Sequence, residues 1–74
     1  MYMPEDIQQL IAQGLPGARV EVAGDGHHFE ALVVSDQFTG KSTLQRHQMV
    51  YRTLGTKMGN EIHALSIKAL APGE

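Results

Sequence analysis

The sequence predicts an α+β domain in the order α-β-β-α-β, with a three-stranded mixed sheet and the helices packed on one face of it. Three observations carry this. Two strand-like segments flank a glycine-rich tip, Gly24-Asp25-Gly26-His27-His28, which turns the chain back on itself and makes the pair antiparallel. A capped helical segment then follows the second strand, and an alternating run closes the chain. Because a strand–helix–strand passage crosses over right-handedly, the last strand should lie parallel to the second.

Each element has its own local reason. Pro4 followed by Glu5 and Asp6 starts a helix, since proline fits a first helical turn and carboxylates suit the positive end of the helix dipole. Ile7, Leu10 and Ile11 fall on one face, and Gly14, Pro16 and Gly17 end it. Ala18, Val20 and Val22 alternate with Arg19 and Glu21, the pattern of a half-buried strand. The next strand, Phe29 to Ser35, carries Ala31-Leu32-Val33-Val34, apolar on both parities, which predicts a central position. Asp36-Gln37-Phe38-Thr39-Gly40 breaks that strand, and Ser42 is the N-cap of a second helix. Leu44, His47, Gln48, Tyr51, Leu54 and Met58 are expected on its inner side, with a stop at Gly59-Asn60. The final strand is expected from Ile62 to Ala69, as part of one domain over residues 1–70, leaving 71–74 as a flexible tail.

Composition bounds what this chain can do. Its 74 residues allow one modest core, and the absence of cysteine removes both disulfides and thiolate metal sites as staples. The N-terminus has no basic region followed by a long apolar stretch, so the chain reads as soluble and cytoplasmic. Charge is uneven: residues 1–36 hold six acids against Arg19 alone, whereas residues 37–60 hold Lys41, Arg46, Arg52 and Lys57 and no acid. Catalysis is not indicated, since the chain lacks a nucleophile elbow, a cysteine nucleophile, a phosphate-binding glycine loop and an evident carboxylate pair.

The ordered set Leu32-Val33-Val34-Ser35, Phe38-Thr39-Gly40-Lys41-Ser42, Leu44-Gln45-Arg46-His47-Gln48-Met49-Val50-Tyr51 and Ile62-His63-Ala64-Leu65-Ser66-Ile67-Lys68 resembles the BolA family over nearly the whole chain. The short tip is most similar to its IbaG-like bacterial members. The resemblance implies a class II KH-like fold and a role in iron–sulfur trafficking or sensing and stress response beside a monothiol glutaredoxin. It also implies that His63 stands at the family's ligand position, with a second ligand from the hairpin loop. Two departures are evident. The family often extends into a further C-terminal helix, and the doubled His27-His28 leaves the loop ligand open between two residues.

The chemistry fits that implication. A [2Fe–2S] cluster takes about four outer ligands, and imidazole can replace thiolate on one iron. This chain has histidines but no thiolate, so the rest must come from a partner, which a glutaredoxin cysteine and its bound glutathione would supply. The isolated chain is then expected to hold no cluster, and to be a monomer or weak homodimer. Against this stands a plainer reading. By periodicity His63 shares parity with Leu65 and Ile67 and is a partly buried structural histidine, while His27 and His28 are polar loop and His47 packs within the second helix.

A competing function comes from Lys41, Arg46, Arg52 and Lys57, a basic segment that suits nucleic acid or an acidic partner. KH-like folds bind single strands, and some relatives are described as transcriptional regulators. However, a KH module clamps backbone with a Gly-x-x-Gly loop, and this chain has no such spacing at the corresponding turn. On a helical projection Arg46 and Lys57 share one side and Lys41 and Arg52 another, which divides the charge.

Overall fold

The structure, a computed structural model, describes residues 2–74. Helix α1 spans Pro4–Gly14. Pro4 occupies the first turn, and the Asp6 carboxylate accepts a 2.8 Å hydrogen bond from the Met3 amide, satisfying one of the donors a helix start leaves free. Ile7 and Ile11 are wholly buried, and Leu15 continues their stripe past the helix end.

Three strands follow the predicted topology: β1 (Arg19–Gly24), β2 (His28–Val34) and β3 (Ala64–Leu70), in spatial order β1-β2-β3. The β1–β2 pair is antiparallel and the β2–β3 pair parallel. β2 is therefore central, as its doubly apolar run requires. Val20, Phe29, Ala31 and Val33 point into the core with Ile7, Ile11, Val50 and Leu54, while Glu21, Glu30 and Lys68 lie on the opposite, uncovered face. Between β2 and the second helix, the Ser35 hydroxyl caps a single tight turn, Asp36–Phe38, by accepting from the Gln37 amide at 3.1 Å. That turn drives Phe38 fully into the core.

Helix α2 spans Thr43–Leu54, and Ser42 is its N-cap as expected. The Ser42 hydroxyl accepts from the Gln45 amide at 3.1 Å and the Gln45 side chain accepts from the Ser42 amide at 2.9 Å, a reciprocal capping box. The inner face differs from the expected one. Val50 and Leu54 are buried, Arg46, His47, Met49 and Thr53 are half-buried, and Leu44 and Tyr51 are 67% and 40% exposed. The helix is rolled by about one residue, or ~100°. The cause lies in the contact with α1: a Cβ on Gly14 would fall 2.7 Å from Thr53 Cβ, so the two helices meet closely at a residue outside the expected stripe.

The end of α2 also differs. It stops at Leu54 rather than at Gly59-Asn60, because Gly55 takes a positive φ of 58° and one tight turn, Gly55–Lys57, continues instead. Ile62, expected to open the last strand, makes an isolated bridge with Met58 and is wholly buried, so β3 begins two residues later. Residues 71–74 do not form the free tail that their composition suggests. Ala71 is buried, its amide donates to Glu74 at 3.0 Å, and Glu74 pairs with Arg46. No helix among the described residues is long and apolar enough to cross a membrane.

Candidate functional site

The parallel β2–β3 register sets the geometry of the histidines. His28 is the first residue of β2 and pairs with Ala64, the first of β3. Neighbouring strands lie about 4.8 Å apart, so the residues just before these two, His27 and His63, leave the same end of the sheet side by side. All three are exposed. The reading of His63 as a buried structural histidine is thus not what the structure shows. It parts from the parity of Leu65 and Ile67 because it precedes the strand. His47 is half-buried on α2, away from this end.

The hairpin tip is organised by Asp25. One carboxylate oxygen accepts from the His27 amide at 2.8 Å and from the His28 amide at 2.9 Å, and the Asp25 amide donates to the His28 carbonyl at 3.2 Å. These bonds, that from the His28 amide foremost, hold the Asp25 carboxyl below its ordinary pKa. Gly24 is required beside it: a Cβ there would strike the His28 carbonyl oxygen and come within 2.7 Å of the Phe29 ring. His28 and Phe29, with Ala64 and Ser66, line a shallow groove running from the tip onto the uncovered sheet face. Sequence reasoning passed over Asp25, although an Asp between two glycines is a signal for a side chain that bonds the backbone two residues on.

The imidazoles at this sheet end are a partial donor set. Among the described residues no group of three or more His, Cys, Asp or Glu side chains is assembled to hold a metal ion. Imidazoles on an exposed rim, with no thiolate in the chain, fit a centre completed by a second molecule rather than one resident in this chain.

The basic segment does not form one surface. Arg46 is 12% exposed at its side chain and fully engaged: it donates to the Lys41 carbonyl at 2.9 Å, to the Ala69 carbonyl at 3.1 Å and to both Glu74 oxygens, with its guanidinium 6.0 Å from the Phe38 ring centre. Arg46 in turn holds the Glu74 carboxyl down to a pKa of about 2, helped by the Ala71 amide. Lys57 lies 3.9 Å from Glu61 and over the Tyr2 ring. Lys41 and Arg52 remain exposed and make no ion pair among the described residues; both line a groove on α2 with Gln45, Gln48 and Met49.

A half-buried mixed sheet of this order, with helices on one face and the loop and last strand meeting at an exposed histidine end, defines a small α+β module of BolA type. The chain belongs to the BolA-like protein family, whose model matches residues 12–74. It is 40% identical over 70 residues to the acid stress protein IbaG of Escherichia coli, an alignment covering 93% of this chain and 83% of IbaG. The structure of a BolA homologue from Coxiella burnetii superposes with a TM-score of 0.88 at 48% identity, covering 97% of this chain and 94% of that one. The DNA-binding transcriptional regulator BolA of Escherichia coli is 44% identical over 45 residues, 61% of this chain and 43% of that protein.

Proposed function

We propose that this chain is a BolA-type adaptor that lends histidine ligands to a [2Fe–2S] cluster shared with a monothiol glutaredoxin and its glutathione, in cytoplasmic iron–sulfur trafficking or sensing under stress. The observation that carries this is the parallel register, which sets His63 beside the His27-His28 tip at an exposed sheet end. His63 is the principal ligand and one loop imidazole the second. The cluster supplies the electron-carrying or transferable unit. The chain supplies the two imidazoles, holds them on an accessible rim, and leaves the thiolates to its partner. A protonated imidazole cannot ligate iron, so assembly is acid-sensitive. The test is to mix the chain with glutaredoxin, glutathione, iron and sulfide and record the visible circular dichroism and electron paramagnetic resonance spectra. Wild type should give a mixed histidine–thiolate spectrum, and His63→Ala an all-thiolate one with the apo fold unchanged. An unchanged spectrum in the variant would sink the assignment.

A second reading is favoured by the DNA-binding name of one relative and by Lys41 and Arg52, the cations of the basic segment that make no ion pair among the described residues. With Arg46 and Lys57 engaged inside the chain, a nucleic-acid surface retains about two phosphate contacts, so log affinity should fall with log salt at a slope of only about −2. A slope of −4 or steeper, or one DNA sequence bound far better than unrelated DNA and lost on replacing Lys41 and Arg52 by Ala, would establish a regulator instead.

A further inference from the structure

We infer that Asp25 is the positioning residue for the loop imidazoles, a role that rests on the shared-cluster reading and that no relative's name assigns. Two histidines directly after Gly24-Asp25-Gly26 leave a segment with wide conformational freedom, and a side chain leaving such a segment loses entropy when a fixed centre recruits it. Here the freedom is removed beforehand. The Asp25 carboxylate takes the amides of His27 and His28 on one oxygen, at 2.8 and 2.9 Å, so the backbone from which both rings leave is set by a single acceptor. The Asp25 amide closes the turn on the His28 carbonyl, and Gly24 is packed so closely against that carbonyl and the Phe29 ring that no side chain fits. Phe29, 2% exposed in the core, anchors the far side.

The consequence is a division of labour within four residues. Phe29 ties the tip to the core, Asp25 fixes the amides of His27 and His28, and the imidazoles alone project outward. Asp25 itself makes its bonds through backbone groups, which leaves both rings free to bond elsewhere. Its acceptor role needs an oxygen but not a charge, so Asn can perform it and Ala cannot.

Two variants of the full chain test this. In the apo protein, Asp25→Ala should exchange the His27 and His28 amides at least about fivefold faster than wild type, while Asp25→Asn stays within about twofold, the scale set by loss of a hydrogen bond to a carboxylate. Assembled with glutaredoxin, glutathione, iron and sulfide, Asp25→Ala should lose much of the mixed-ligand signal at unchanged protein stability in the strands, and Asp25→Asn should recover it. Unaltered amide exchange in Asp25→Ala overturns the inference. Accelerated exchange with a wild-type cluster spectrum overturns it too, because the order at the tip would then do nothing for ligation. If wild type itself gives no mixed-ligand spectrum, the glutaredoxin reading fails and the positioning role for ligation fails with it, while the amide data still separate that outcome from a failure of Asp25 alone.

Discussion

Single residues at the two ends of the molecule carry the most specific expectations. On the proposed shared-cluster role, His28 is the favoured one of the loop pair: it adjoins the buried Phe29 and is already paired with Ala64, so its ring has less freedom to lose than that of His27. His28→Ala should therefore remove more of the mixed-ligand signal than His27→Ala; equal retention in both would exclude the pair as obligatory ligands, and loss only in His27→Ala would reverse the choice. At the other end, Glu74 has its folded-state pKa depressed to about 2 by Arg46 and the Ala71 amide, against an ordinary value of 4.5. A carboxyl lowered in the folded state adds stability that is present above the unfolded value and lost as pH falls through the folded one. Glu74→Gln should thus lower Tm at pH 6 to 7, with the difference from wild type shrinking below pH 4.5 and gone near pH 2; a difference constant across that range would show that the pairing does not contribute. The histidines were visible in the sequence because their chemistry is local. Asp25 carried a local signal of its own, an Asp between two glycines, whereas Glu74 was not visible, since it matters through a bond to an element 28 positions away.

Whole elements show where sequence pattern decides and where packing overrides it. α1, the two early strands and the Ser42 cap read directly, because proline, glycine and alternation act within a few residues. Ser42→Ala should cost about 1 kcal/mol, measured by denaturant unfolding, and Gln45→Ala a fraction of that, as expected for the two halves of a capping box. The roll of α2 was not readable. Its apolar residues are spread around the helix, and which of them turn inward depends on the close approach of Gly14 to Thr53. Gly14→Ala is accordingly expected to destabilise by roughly 1–3 kcal/mol, although alanine favours helix, because the added methyl must displace Thr53. A neutral or stabilising result would mean that the helices can part at no cost, and the roll of α2 would need another cause. The basic segment makes the same point. The helical projection divides the four cations between two sides, but it does not show that Arg46 turns inward, which it does because β3 ends where its guanidinium can reach the Ala69 carbonyl.

The overall topology was legible from the order of segments, since a right-handed crossover leaves one arrangement for three such strands. What the order also dictates is when the histidine rim comes into existence. The tip belongs to a hairpin of near neighbours, but His63 reaches it only through the β2–β3 ladder, whose partners His28 and Ala64 are 36 positions apart in the chain. Contacts of such separation form late, after the intervening segment has given up its freedom. A nascent or partly unfolded chain can therefore make the hairpin with its two imidazoles yet still lack the third. On the proposed shared-cluster role, the pair would act as a certificate of completed folding: both imidazoles stand together only on a chain whose crossover helix has already docked, so unfinished copies would offer a partner an incomplete set.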